Sequence, residues 1–394
     1  MKYRFVSTSL IIFLFVSLMA CGPSQKQDIQ QKITNTSQHF APDSRVALFD
    51  VEAESNNGEW VLKGETNLPK AKAALLDSLS AMNITTVDSI NVLPDDGLEG
   101  KTLGIINNSV ANLRSRPSHP AQLVTQATLG MPVKVLKKEG SWYFIQTPDD
   151  YLSWVDYGGI HQMSQKEYEE WKSADKIIYL ETNGYAFEQP NRESLKVSDL
   201  VSGSILKVTG TEGNYYEVSY PDGRTGFVSR SEARSFDDWK ASVQASENQL
   251  VQEAKSMKGA PYLWGGTSSK GMDCSGFTKT IYFMNGWIIP RDASQQVHAG
   301  ELVDSTGNFE NLRPGDLLFF GSEATEERDR RVVHVGMWIG NDEFIHSAGR
   351  VKVSSIDPKA ENYDEYNLNR YLESRRYLQH KEGNIIDVED MYEI

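Results

Sequence analysis

An internal repeat constrains this chain more than any other feature: Gly130–Val155 aligns without gaps on Gly203–Val228. Lys134/Lys207, Val135/Val208, Glu139/Glu212, Gly140/Gly213, Tyr143/Tyr216, Pro148/Pro221, Asp149/Asp222 and Val155/Val228 recur as pairs. The offset is too long for a solenoid, and each copy alternates short β-prone runs with Pro-Asp turns. That pattern predicts two small tandem β-barrels. At 394 residues the chain is too long for one core, so other domains must flank the repeat. A net charge of −14 leaves no basic stripe to neutralise phosphates and argues against a nucleic-acid partner.

The N-terminus points to export. Lys2 and Arg4 precede an apolar run, Phe5 to Ala20, that is short for a membrane span and reads as a secretory signal. The run ends Leu18-Met19-Ala20-Cys21, which resembles the lipobox of bacterial lipoproteins although Met19 departs from it. That resemblance implies lipidation of Cys21 and anchoring to a membrane. With no acidic run after Cys21, the expected location in a Gram-negative cell is the periplasmic face of the outer membrane. The Gln-, Ser- and Lys-rich residues that follow read as a flexible tether.

The expected organisation is a signal segment 1–20, a lipidated tether 21–41 and a small α/β unit 42–98. A first barrel 99–163, a linker helix 164–175 and a second barrel 176–235 follow. A chemistry-bearing domain 245–380 and a tail 381–394 complete the chain, giving a multidomain α+β protein. In the small unit, Val46–Phe49 and Trp60–Leu62 read as strands around an Asn56-Asn57-Gly58 turn, and Ala71, Leu75 and Leu79 recur at helical spacing. Ser164-x-x-Glu167 and Ser246-x-x-Gln249 are capping boxes that open helices.

The chain has two cysteines, and if Cys21 carries lipid then Cys274 has no partner. Glycines before Cys274 mark a loop, and Phe277, Ile281 and Met284 recur on one helical face. Cys274 is therefore expected at a helix N-terminus, where the macrodipole lowers a thiol pKa from about 8.5 and free N–H groups can hold an oxyanion. Two histidines stand in an apolar hairpin, Val332–Ile339 and Glu343–Ser347. A three-residue turn, Gly340-Asn341-Asp342, would pair Ile339 with Glu343 and put His346 opposite Gly336, on the face that carries His334. A two-residue turn would separate the faces. Taken alone, Asp273 is equally a helix cap, Tyr262 a core aromatic and Tyr151 an exposed aromatic. A metal site of Cys274, His334 and His346 lacks a fourth ligand, so no metal or other cofactor is expected.

Asp273-Cys274-Ser275-Gly276-Phe277, His334–Gly340 and Phe344-Ile345-His346 resemble the NlpC family of papain-like cell-wall cysteine peptidases. Tyr262–Gly266 and Leu312–Leu317 match as well. The barrels resemble bacterial SH3-like domains, with Asn112–Pro117 at the entry of the first. The family resemblance implies that Cys274 attacks, His334 takes its proton and His346 orients His334. It also implies that Tyr262, Asp273 and Ser275 line the substrate site. Arg291-Asp292-Ala293-Ser294 follows the family's pattern incompletely, with alanine where relatives often carry serine. The implied reaction is hydrolysis of γ-D-glutamyl bonds to a diamino acid in peptidoglycan stem peptides or muropeptides. Members with SH3-like domains often require a free N-terminal L-alanine, and Tyr151, whose repeat counterpart is Arg224, is the expected wall of that end. Two alternatives are an endopeptidase on intact murein and a non-catalytic wall-binding protein.

Overall fold

The computed structural model describes residues 23–394. The signal segment and Cys21 lie outside them. Among the described residues no helix is long and apolar enough to cross a membrane.

The chain divides into two units. In the first, strands Phe49–Asn56, Glu59–Thr66 and Thr86–Val92 form one sheet, with helix Pro69–Ser80 between the second and third. The expected turn is present: Asn57 and Gly58 both have positive φ, as a two-residue hairpin of right-handed strands demands. The expected tether is instead a helix, Pro23–Phe40. Ile29 and Ile33, one turn apart, bury against Leu62, Leu75 and Leu79. So narrow a stripe in a polar segment gives little periodic signal, yet suffices once a sheet covers it. The expected strand start also moves. Val46–Leu48 joins the second unit, where Leu48 packs with Leu93, Leu136 and Leu152.

The second unit begins with the two halves of the repeat, and their likeness runs past the matching sequence. Each strand of the first half has its counterpart 73 residues on, from Leu103–Ile106 against Lys176–Tyr179 to Leu152–Asp156 against Thr225–Ser229. Both halves are seven-stranded antiparallel sheets of the same strand order, and both carry a bulge at the same place, after Val135 and after Val208. Each sheet wraps its own apolar core, Ile106, Leu113, Val133, Ile145 and Val155 in one and Ile177, Leu200, Leu206, Val218 and Val228 in the other. Ser164 caps helix Gln165–Ser173 through a complete capping box, and Ser246 caps helix Glu247–Ser256.

The last part is α+β. A six-stranded sheet runs in the spatial order Glu301–Asp304, Tyr371–Arg376, Leu317–Ser322, Arg331–Gly340, Glu343–Ala348 and Arg350–Ser355. Helix Cys274–Met284 lays Phe277 and Ile281 on Leu317, Phe319, Val335, Met337 and Ile345. The hairpin turn has two residues, Asn341 and Asp342, both at positive φ, with Gly340 opposite Glu343. That is the turn expected to part the histidines. A bulge at Ile339 restores the register, so Met337 faces Ile345 and His346 lies beside Gly336. Only glycine fits there, because a Cβ would stand 2.9 Å from the Phe344 ring and 3.2 Å from the His346 Cβ.

The expected tail is built in. Ile386–Asp387 pairs with Trp287–Ile288, and Val388, Met391 and Tyr392 complete a core with Tyr168 and Trp171, Phe236 and Trp239, and Phe283. The spacing of those three residues gives the C-terminal turn one apolar face, and this core joins both barrels to the catalytic part.

Candidate active site

Cys274 is the first residue of its helix. The preceding Asp273 caps it, Oδ1 accepting from the Gly276 N–H at 2.7 Å, while Oδ2 accepts from the Gly265 N–H at 2.9 Å. Both oxygens also accept from Arg291, whose guanidinium is wholly buried. Arg291 further donates to Ser275 Oγ at 2.9 Å and Thr125 Oγ1 at 2.8 Å. Asp273 and Ser275 line the cleft, but their polar atoms are committed to holding the helix start. Local spacing could not reveal Arg291 as their partner.

The thiol is buried and accepts from the backbone N–H groups of Val335 and Ser275. Its pKa is not lowered. Burial pushes it up to about 12, and the Asp273 charge adds to the rise against those two N–H groups and Arg291. Desolvation thus outweighs the helix dipole. The resting sulfur is a neutral thiol that needs a base as it reacts.

His334 precedes Val335 on the strand beneath this helix, and its Nε2 meets His346 Nδ1 at 2.8 Å. That contact engages Nε2 and leaves Nδ1 as the other ring nitrogen. Burial depresses His334 to about 3 and His346 to about 4, so both imidazoles are neutral near pH 7. His346 is entirely buried, with Phe344 against its ring and Nε2 at 3.1 Å from Ser354 Oγ. Asp364 Oδ2 lies 3.6 Å from the same nitrogen. Neither Ser354 nor Asp364 stood out in the sequence.

The thiol floors a cleft of about 480 Å³ lined by Tyr262, Trp264, Val333, Tyr151, Asp292 and Arg45 among others. Tyr262 is exposed at the rim, though partial desolvation raises its phenol to about 12. Tyr151 comes from the first barrel and is not an exposed aromatic. It is 5% exposed and donates to Asp292 Oδ2 at 3.2 Å. Arg45 reaches the same carboxylate at 2.7 Å and Ser294 Oγ at 3.0 Å, while Asp43 holds it from the other side at 2.8 and 2.7 Å. The backbone of this segment is pinned to the barrel, Leu152 N–H donating to Arg45 O at 2.7 Å. Asp292 thus stands between two arginines, with Arg291 3.8 Å from its other oxygen.

The Tyr151 loop is fixed to the cysteine helix by an ion pair between buried Asp149 and Lys279. The repeat partner of Asp149, Asp222, instead binds Arg224 and accepts from Asn107, and Glu139 pairs with Lys137 at the surface. The two aspartates of this repeat pair thus have different partners, one on the cysteine helix and one in a barrel turn.

Chemically, the cleft can bring a carbonyl to a thiol that is bound by Val335, the residue after the neutral His334. The Gly276 N–H is taken by Asp273 and the Ser275 N–H by the thiol, which leaves the Cys274 N–H for a developing oxyanion.

Residues 259–370 match the model of the NlpC/P60 family, and residues 113–158 match that of a bacterial dipeptidyl-peptidase SH3 domain. The chain is 29% identical to a gamma-D-glutamyl-L-lysine dipeptidyl-peptidase of Bacillus cereus, over 65% of this chain and 76% of that protein. It is 30% identical to the protein of the same name in Bacillus subtilis, over 57% of this chain and 71% of that one. The crystal structure of an NlpC/P60 family protein from Bacillus cereus covers 70% of this chain and 99% of its own, with a TM-score of 0.59 at 24% identity, which supports the fold.

Proposed function

The chain belongs to the NlpC/P60 family and is a cysteine peptidase, and we propose that it hydrolyses the γ-D-glutamyl bond to the diamino acid, diaminopimelate or lysine, of peptidoglycan stem peptides. Cys274 is the nucleophile, His334 the base and His346 the group that orients it. His334 Nδ1 takes the Sγ proton as sulfur attacks the γ-carbonyl, and the oxyanion faces the Cys274 N–H group at the helix start. The imidazolium then gives its proton to the departing amine of the diamino acid. Water, deprotonated by the same imidazole, releases the thioester and restores the thiol.

The preferred substrate carries a free N-terminal L-alanine. One observation supports this reading above the others: Tyr151 of the first barrel lines the cleft and hydrogen-bonds the Asp292 carboxylate that lines it too. An ammonium suits that carboxylate, whereas an acylated nitrogen brings no charge to it and must seat its acyl group against Tyr151. For L-Ala-γ-D-Glu-diaminopimelate against its N-acetylated form, kcat/KM should differ by roughly 10- to 100-fold. Equal rates would sink this reading and favour an endopeptidase on intact murein.

The buried histidines also set the pH response. Because both imidazoles are depressed well below 6.5, His334 remains an unprotonated base in mild acid, and kcat/KM should hold down to pH 5. Stability runs the other way. The unfolded chain binds protons that the folded imidazoles refuse, so stability is complete above about 6.5 and is lost as pH falls toward about 3. A pH–rate profile measured alongside melting temperature checks both, and an acid limb centred near 6.5 contradicts the first.

A further inference from the structure

We propose that Asp364, acting through Ser354, fixes which nitrogen of each imidazole in the His334–His346 pair carries the proton, and so makes Asp364 a positioning residue for the base. The inference rests on the reading of His334 as that base.

It follows from proton counting along a buried chain. A neutral imidazole has one N–H and one lone pair. The 2.8 Å contact between His334 Nε2 and His346 Nδ1 holds one proton, which leaves two arrangements. In the first, His334 carries its proton on Nε2 and donates it to His346. His346 then carries its own on Nε2, facing Ser354 Oγ at 3.1 Å, and His334 Nδ1 is free to take the thiol proton. In the second, every proton is reversed: His346 donates from Nδ1, His334 carries its proton on Nδ1, and the thiol meets an N–H with no basic nitrogen.

The far end of the chain chooses between them. In the second arrangement His346 Nε2 must accept the Ser354 hydroxyl proton. An ionised carboxylate only accepts, and Asp364 takes the Ser354 hydroxyl as one of its donors. The Ser354 oxygen then presents a lone pair to His346, and Asp364 Oδ2, 3.6 Å from His346 Nε2, adds a negative charge that favours a proton there. Asp364 is suited to this task. Burial opposes its ionisation, but hydrogen bonds from the Asn367 side chain and backbone and from Ser354 hold its carboxyl below the ordinary value. The other charged groups acting on both rings, Lys352 and Arg370, are cations that disfavour imidazolium and offer no acceptor. The packing aromatics, Phe320 and Phe344, are neutral.

Asp364 also caps the short helix Glu365–Leu368, its Oδ1 accepting from the Asn367 N–H at 3.1 Å. Asp364→Asn separates the two roles, because asparagine caps as well as aspartate but brings an N–H₂ that can donate to Ser354. Steady-state kinetics on a stem peptide should show kcat reduced roughly 10²-fold with KM within about twofold. That is less than the ~10⁴-fold loss when a carboxylate touching a catalytic imidazole becomes its amide, since Asp364 stands one residue further away. Nitrogen-15 NMR of the imidazoles near pH 7 should find His334 protonated on Nε2 in the parent and shifted toward Nδ1 in the variant. Asp364→Glu, which keeps the charge, should recover part of the rate. An unchanged kcat in Asp364→Asn overturns the proposal, and so does a reduced kcat with unchanged tautomers, which would mark a structural role. Failure of the underlying reading is distinct: it would appear as an active His334→Ala enzyme.

Discussion

Replacing Cys274 by alanine is expected to abolish hydrolysis of stem peptides while the fold persists. The side chain is small and sits at the edge of the core, so losing one sulfur leaves a minor void beside Val335. The reaction, in contrast, loses the atom that forms the covalent intermediate. Removing a nucleophile from a comparable triad costs about 10⁶-fold in kcat, or roughly 8 kcal/mol of transition-state stabilisation. His334→Ala should be nearly as severe, because the raised thiol pKa leaves almost no thiolate at pH 7 to act without a base. His346→Ala should be milder, since it removes orientation and leaves the base in place. Measured kcat values for the three variants, with melting temperatures alongside, test the ranking. Appreciable activity in Cys274→Ala would falsify the assignment of the nucleophile and revive the wall-binding alternative.

The largest loss of stability is expected from Arg291→Met. Arg291 and Asp273 form a buried pair joined by two hydrogen bonds, and the methionine leaves the Asp273 carboxylate in the core without its cation. Breaking one side of such a pair costs about 3–5 kcal/mol. The Gly276 and Gly265 N–H groups still bind the carboxylate, which places the expected value toward the lower end. At roughly 2.1 cal/mol/K of unfolding entropy per residue, each kcal/mol moves a unit of this size by about 1.5 °C, so the second unit should melt roughly 5 °C lower. Activity should fall too, because Asp273 caps the helix that presents Cys274. The double variant Asp273→Asn/Arg291→Met should recover part of the stability, since the orphaned charge is gone. A single variant that melts within a degree of the parent would show that the pair contributes little.

What the sequence determined by itself was local and periodic. The repeat announced two like sheets because the same strands and turns recur at a fixed offset. Phe277, Ile281 and Met284 placed Cys274 on a helix, and two capping boxes marked helices that are present. Alternation along Val332–Ile339 and Glu343–Ser347 brought the histidines together. Tertiary structure decided whatever depends on groups distant in the chain. The Ile339 bulge, stabilised by its neighbours, kept a register that turn length alone would have lost. Two isoleucines turned an apparent tether into a core helix once a sheet was there to cover them. Arg45 and Asp292 meet across 247 residues, and Asp364 reaches His346 from a loop with no motif of its own. The thiol pKa shows the reason most directly. Its helix position was legible in the sequence, but the packing around it set the desolvation, and that term is larger. Spacing along a chain encodes which face a residue takes, whereas burial and partner choice arise only when remote segments close on one another.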